Sequence, residues 1–580
     1  MFSLFITHLE GYKKDAVKAP ILIVLEVLCE LTLPLVMARI VDEAIPAGDV
    51  AQIFRLGLFM ILLTGFAVVT GVLAAKYAAY SSQGFGANLR QSLFDQVQEF
   101  SFADIDRFSS ASLITRMTND VNAMTVTLSM GLRMMVRAPV MLLVALVICL
   151  RLNARLAMVL LVVIPVMIVI IAVLMRICIR LFEALQRRID AVNNTLQENL
   201  VAIRVVKAFV RERSEEEKFG RDNDALTQAF LDVGLKLIAI MPIMMLCLNG
   251  ATVAVLFFGG RMVMDARFDL GSLQAFISYI MQILMNVMMM AMVLLNLTRA
   301  QACGHRIREV LETEPSVESA PDAAAKPLPA SQGKVEFQDV SFKYSVSGTG
   351  ADVLSHISFT VQPGQFTAIV GGTGTGKSSL VNLIPRFYDV TGGRVLVDDL
   401  DVRDYPLEAL RSRIGMVLQT NTLFSGSIRE NLLWGREDAT EAEMIQAAKD
   451  AQAYDFIQAF PEGFDTQIEQ GGVNVSGGQK QRLCIARAML RKPAILILDD
   501  STSAVDSGTE AAIRASFAEN LKDTTVLLIA QRISSVQYAD HIIVLEDGQV
   551  AAQGTHAQLM ASSQIYQEIY RSQQEGVRQA

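Results

Sequence analysis

The sequence predicts a two-part chain: an α-helical membrane domain of six long transmembrane helices that extend into the cytosol, followed by an α/β domain built around a phosphate-binding loop. Three observations predict it. Apolar stretches of about 20 residues, enough to cross roughly 30 Å of hydrocarbon, recur through the first half only. A proline- and alanine-rich stretch, Glu312–Gly333, lacks any packing pattern and reads as a linker. Beyond it, the short apolar strand Phe366–Val370 runs into Gly371-Gly-Thr-Gly-Thr-Gly376-Lys377-Ser378 and then into a helical pattern.

A chain of 580 residues is too long for one core. We therefore read a membrane domain over 1–312, a linker over 313–333 and a nucleotide-binding domain over 334–580. The spans fall near Ala19–Ile40, Leu56–Ala75, Gly131–Leu150, Leu156–Ile177, Leu235–Phe258 and Leu273–Leu297. Short loops join spans one to two, three to four and five to six. The two long connections, Lys76–Met130 and Cys178–Gly234, are polar, rich in helix formers and free of proline. Each is predicted to carry a helix about 25 residues beyond the bilayer, about 37 Å, and to return along a second helix. The turns, Phe102–Ser109 and Ala202–Arg213, would lie far from the membrane, placed to carry force.

Charge and cysteine usage narrow the class. The net charge of −8 gives no basic footprint, so no nucleic-acid partner is expected. Cys29, Cys149, Cys178, Cys247, Cys303 and Cys484 show no metal-ligand spacing and read as reduced, structural residues. Residues 1–18 mix charge with apolar side chains; they read as a short amphipathic helix on the inner leaflet, without a cleavable signal. Lys13, Lys14 and Lys18 before span one place the N-terminus in the cytosol. An even number of spans then returns the second domain to the same side. Arg151 and Arg155, in an outer loop, run mildly against the charge rule.

Two membrane features are candidate cargo contacts. Glu26 and Glu30 lie four apart, on one face of span one. Carboxylates within a span are costly and either line a substrate path, where they attract cationic cargo, or bond between helices. Span six carries Met281, Met285 and Met288, flexible thioethers suited either to a cavity accepting many shapes or to plain packing.

The second domain holds the clearest chemistry. Gly371, Gly372, Thr373, Gly374, Thr375 and Gly376 let backbone N–H groups converge on phosphate oxygens at a helix N-terminus. Lys377 adds a cation, and the Ser378 hydroxyl is a Mg²⁺ ligand type. The apolar run Ala494–Leu498 reads as a central parallel strand ending in Asp499, a second Mg²⁺ anchor. Between them Val475-Ser476-Gly477-Gly478-Gln479 forms another anion-cradling loop. One nucleotide has no use for two such loops on one domain, so this segment either serves a nucleotide held by a partner or is simply a loop-to-helix cap.

These motifs, with Ser503-Ala-Val-Asp506 and ENLVAIRVVKAFVRE in the second long connection, resemble the ATP-binding cassette (ABC) family, and the membrane half resembles its six-helix exporters. The resemblance implies an α/β P-loop ATP-binding cassette domain that uses ATP and Mg²⁺ and works as a dimer with two ATPs between cassettes. It implies that Tyr344 stacks on adenine, that Ser379 helps hold phosphates, and that Gln419 sits near Mg²⁺. It implies that Ser476, Gly478 and Gln479 act on ATP held by the opposite cassette, and that Ser503 to Asp506 form the D-loop.

Two positions depart from the family pattern. The residue after Asp499, usually glutamate, is Asp500, and the switch position, usually histidine, is Gln531. The nearest histidine, His541, heads another apolar run. Asp is shorter than Glu by roughly 1.5 Å, and a misplacement of about 1 Å can cost on the order of 100-fold. Gln531 cannot take a proton. Both changes keep binding chemistry and weaken hydrolysis. The expectation is an exporter subunit of a bacterial cytoplasmic membrane that moves amphipathic or drug-like small molecules. It would pair with a second half-transporter supplying glutamate and histidine. A homodimeric lipid or drug flippase, and an ATP-gated channel or regulatory ABC protein, carry the same motifs.

Overall fold

A computed structural model describes residues 2–319, 327–344, 352–501, 505–530 and 533–579; Gln531, Ser503 and part of the linker lie outside the described residues, as does the side chain of Met288. The chain divides into two compact units, Met1–Gln96 with Ala111–Thr313, and Val97–Ser110 with Glu314–Ala580.

In the first half, the described helices are α1 (Phe2–His8), α2 (Lys13–Arg39), α3 (Val50–Glu99), α4 (Phe102–Phe108), α5 (Ser110–Thr115), α6 (Val121–Leu152), α7 (Ala154–Val201), α8 (Ile203–Ala208), α9 (Glu212–Met264) and α10 (Leu270–Leu311). Six stretches are long and apolar enough to cross a bilayer. The long connections are helical apart from the breaks around α4 and α8, so each runs out on one helix and returns on another. The 50 residues of α3 span about 75 Å at 1.5 Å per residue, far more than a hydrocarbon core. Exposed Ile61, Leu62, Val169, Leu246 and Phe257 give the spans an apolar exterior, which costs nothing against lipid.

The core of the first unit forms where α2, α6, α7, α9 and α10 bury Leu31, Met141, Leu160, Phe276 and Ile283. Tyr279 is fully buried there, and its hydroxyl donates to the Leu31 carbonyl at 2.6 Å. The turn after α2 is tied to the start of α10 by Asp42, whose carboxylate accepts from the N–H groups of Gly271 (2.6 Å) and Ser272 (2.9 Å). A side chain at position 271 would meet the Ala38 carbonyl at 2.6 Å, so only glycine allows this approach. The N-terminal segment rests on the α3 extension. Phe5 lies 5.1 Å from Phe85, and Asn88 donates to the carbonyls of His8 and Glu10 at 3.0 Å each.

The second unit contains α4 and the strands β1 (Val335–Phe342), β2 (Leu354–Val361), β3 (Phe366–Gly371), β4 (Gly392–Val397), β5 (Leu400–Asp401), β6 (Ile414–Val417), β7 (Gly426–Ser427), β8 (Gln467–Ile468), β9 (Ile495–Asp499), β10 (Thr525–Ile529), β11 (His541–Glu546) and β12 (Gln549–Gly554). A six-stranded sheet has the order β12-β11-β3-β10-β9-β6, parallel except for the β12 edge. Strands β9 and β10 are buried along their whole length, which explains their unbroken apolar sequence. A four-stranded antiparallel sheet, β2-β1-β4-β5, packs beside it over Phe337, Ile357 and Ile369. In the parallel sheet the phosphate loop follows β3 and Asp499 ends β9, so both lie at the carboxyl edge, where such sheets bind ligands. His541 pairs with Thr367, four residues before Gly371 and thus toward the opposite edge. Burial also holds its imidazole below the usual pKa. It cannot serve as the missing switch histidine.

Candidate functional site

The phosphate loop closes around its own lysine. Gly374 and Gly376 have φ of 84° and 88°, the left-handed region that favours glycine. A Cβ built on Gly374 meets nothing within 4 Å, so the space in front of the loop is open for a phosphate. Lys377 Nζ donates to the carbonyls of Gly371 (3.0 Å) and Gly372 (2.5 Å), and Thr375 Oγ1 donates to Gly372 O at 3.0 Å. Burial lowers the Lys377 pKa, while Asp499 and Asp500 pull it back up. These carbonyls are weak partners for an ammonium, so the lysine is poised to exchange them for phosphate oxygens. Gly372 and Thr373 are exposed at the mouth.

Ser378 Oγ donates to Asp499 Oδ1 at 3.0 Å, joining the loop to the end of β9. Asp499 is 3% exposed; burial raises its pKa, and the Ser378 bond opposes that rise. A buried carboxylate beside a hydroxyl, next to an open phosphate cradle, fits a divalent cation. Gln419 stands exposed in the bend after β6 and forms no hydrogen bond to either residue.

The residue after Asp499 sits on strained backbone. Asp500 has φ of 49°, a region that Asp tolerates better than longer side chains. Its N–H donates to Ile529 O at 3.0 Å, at the end of β10. Its own carbonyl accepts from Gln481 Nε2 at 3.2 Å. Gln481 lies on the helix Gly477–Leu490, so the second glycine loop and the Asp499–Asp500 turn are physically connected. That loop forms a capping box: Ser476 Oγ accepts from Gln479 N–H, and the Gln479 side chain accepts from Ser476 N–H at 2.9 Å. Ser476 and Gly477 are exposed, with Val475 and Gly478 half-buried, and none bonds to the phosphate loop. Asp506 caps the helix Ser507–Asn520 through Thr509, which lowers its pKa.

Sequence reasoning missed Tyr388. The Tyr344 hydroxyl and Ser379 Oγ are 2.8 Å apart, so the ring expected to stack on adenine is bonded to the phosphate-loop helix. Tyr388 stands perpendicular to Tyr344 with centroids 5.2 Å apart. The Tyr388 hydroxyl donates to Asp106 Oδ2 on α4 at 2.9 Å, and Phe102 of α4 packs on Phe387 at 4.4 Å. Asp104, on the same helix, accepts from Ser316 N–H at 3.0 Å. Thus α4 touches the segment that directly follows the phosphate-loop helix Lys377–Asn382. The aromatic pair Phe387-Tyr388 was the available signal. The other turn, around α8, exposes Val201, Val205, Phe209 and Val210. Separately, the second unit holds a groove of about 510 Å³ lined by Met416, Leu418, Phe424 and Trp434.

The acidic pair of α2 is not a bare cation attractor. Arg137 of α6 donates Nη1 to Glu26 Oε1 at 2.6 Å and Nη2 to Glu30 Oε2 at 2.5 Å. The interhelical bond is therefore the structural role, and the arginine cancels one of two negative charges. All three line a cavity of about 770 Å³. Met289 lines it too, whereas Met281 and Met285 do not and stand exposed on α10.

Two family models match: the ABC transporter transmembrane region over residues 17–287 and ABC transporter over residues 354–503. An uncharacterized ABC transporter ATP-binding protein of Mycobacterium tuberculosis is 40% identical over 576 residues, 99% of this chain and 98% of its own length. A putative multidrug export ATP-binding/permease protein of Bacillus subtilis is 32% identical over 98% of both chains. A solved bacterial Atm1-family ABC exporter with ATP bound aligns over 97% of this chain and 98% of its own, with a TM-score of 0.80 and 26% identity.

Two outcomes are expected. Removing the Tyr388–Asp106 bond, at a net cost of about 1 kcal/mol, speeds amide exchange in α4 about fivefold. Tyr388→Phe and Asp106→Ala should each show this by mass spectrometry, and the double variant should show no more; unchanged exchange contradicts the link. Arg137→Met leaves two uncompensated carboxylates and costs about 3 kcal/mol, seen as a lower Tm in detergent. Adding Glu26→Gln and Glu30→Gln should recover most of it.

Proposed function

This chain belongs to the ABC transporter family, an exporter-type half with one ATPase domain, and on that premise we propose that it is the weakly hydrolysing subunit of a heterodimeric drug or lipid-like amphiphile exporter. The observation that carries this reading is the pairing of an intact grip with a shortened catalytic arm. Ser378 and Asp499 meet at 3.0 Å, while the next position holds Asp500 rather than glutamate.

The residues divide the work as follows. Tyr344 stacks on adenine, and the amides of residues 371–379 orient the phosphates. Lys377 leaves the Gly371 and Gly372 carbonyls for the outer phosphates. Ser378 and Asp499 would hold Mg²⁺, with Gln419 closing on it; the ion supplies neutralisation of charge on the phosphate oxygens. Asp500 orients the attacking water from too far back, and Gln531, outside the described residues, brings a side chain that carries no charge. Val475 to Gln479, free of this chain's own phosphate loop, seal the ATP held by the partner. Closure of the cassettes by two ATPs is transmitted to the spans through α4 and through α8. In this reading the exposed apolar tip of α8 would seat in the apolar Phe424–Trp434 groove of an opposing subunit.

The long extensions, the positive flank of span one and the ATP requirement support a cytosolic N-terminus and ATPase domain in a bacterial cytoplasmic membrane. ATP biases the alternation between inward- and outward-facing states only through tighter binding to the closed form. The likeness to a putative multidrug export protein supports an amphipathic cargo.

The test is Asp500→Glu with Gln531→His in the complex purified from its own membrane. Steady-state ATP hydrolysis should rise about tenfold or more, allowing about 1 kcal/mol for glutamate on left-handed backbone. Nucleotide trapping on the unmodified complex should place slowly exchanging ATP at Lys377 of this chain. Equal turnover at both sites, or no gain in rate, overturns the asymmetric reading.

A further inference from the structure

Charge in the membrane cavity follows a pattern that the exporter reading does not use. Arg137 gives one N–H group to each glutamate, leaving Glu26 Oε2 and Glu30 Oε1 as acceptors and one net negative charge on the triad. Arg133 precedes Arg137 by four residues, one turn along the same face of α6, about 6 Å away. It lines the same cavity and forms no ion pair with the described residues. The cavity thus presents a negative end and a positive end one helical turn apart. Apolar wall is supplied by Ile23, Leu33, Val68, Val72, Met134 and Met289. Gly71 of α3 leaves room for the Glu26 carboxylate, whose carboxyl carbon would lie 3.1 Å from a Cβ at that position. A volume of about 770 Å³ falls within the range of small-molecule sites. A second, mainly apolar cavity of about 290 Å³ shares Arg133 and Met134 and is lined further by Ala79, Thr125, Val126 and Met130.

We propose that this cavity binds a zwitterionic amphiphile. Its ammonium sits on Glu26 and Glu30, its acidic group on Arg133, and its hydrocarbon chain along the apolar wall. A purely cationic amphiphile would bring its charge beside unpaired Arg133, and a purely anionic one would meet the net negative triad. Only a ligand with both charges a few bonds apart satisfies both ends, as in a phosphoethanolamine group. Such a ligand comes either from a lipid headgroup or from a soluble amphiphile. That this ligand is cargo rests on the exporter reading; that it binds does not.

The experiment uses the full-length assembly in phosphatidylglycerol nanodiscs and three radiolabelled probes of equal chain: dodecylphosphoethanolamine, dodecyl phosphate and dodecylamine. Dodecylphosphoethanolamine should bind about tenfold more tightly than either singly charged probe, a difference of about 1.4 kcal/mol. Arg133→Gln should abolish that advantage while leaving dodecylamine as tight or tighter, and Arg133→Lys should retain most of it. Equal affinity for the three probes, or an unaltered preference in Arg133→Gln, overturns the proposal. Competition by phosphatidylethanolamine added to the nanodiscs assigns the ligand to lipid; its absence assigns it to a solute. In inverted vesicles, ATP-driven dye uptake without headgroup selectivity in binding would sink the site and spare the exporter. Selective binding without ATP-driven movement would do the reverse.

Discussion

A buried carboxylate at the end of an apolar strand is the constraint on which the nucleotide half depends. Asp499 is 3% exposed, in a sheet edge too apolar to hold its charge without help. Ser378 supplies one hydrogen bond and Lys377 a nearby cation, but burial still raises its pKa. A cation bound beside Asp499 would offset that burial. The parallel strand order sets the arrangement of these residues: β10 lies between β3 and β9, and all three strands end on one edge.

The same edge is mechanically connected. Ser379 bonds Tyr344, Tyr344 packs on Tyr388, and Tyr388 bonds Asp106 of α4. Each contact is ordinary in strength. Their continuity matters, because α4 is the turn between two helices that run into the membrane spans. On the other side of the site, Gln481 ties the second glycine loop to the Asp500 backbone. Through these contacts the phosphate-loop helix is linked to α4, and the Asp500 backbone to the second glycine loop. In the membrane half, charge is handled by compensation: Arg137 crosses from α6 to bridge two α2 carboxylates where lipid offers no solvation.

Much of this was legible in the sequence where one segment carries its own reason. The spans, the long extensions, the turn at Phe102–Ser109 and the phosphate loop follow from local length, periodicity and glycine chemistry. Asp499 was legible because an all-apolar strand announces a central position. Features that join distant segments were not. Nothing in one dimension pairs Arg137 with Glu26 and Glu30, 111 and 107 residues away. The same holds for Tyr388 and Asp106, separated by 282. Periodicity alone does not say which face of α10 meets the cavity, and of its methionines Met289 lines it while Met281 and Met285 stand exposed elsewhere on the helix. The positive φ of Asp500 was invisible as well, since its left-handed backbone comes from the turn between β9 and the following segment.

A nucleotide gripped by one subunit should be sealed by the glycine loop of another. Placing the photo-crosslinking residue p-benzoylphenylalanine at Ser476 and irradiating the membrane assembly, with and without Mg-ATP, tests it directly. The account predicts an ATP-dependent adduct with the phosphate-loop peptide of a second chain whose sequence differs from this one, identified by mass spectrometry. An adduct within the same chain, or one indifferent to ATP, would contradict it.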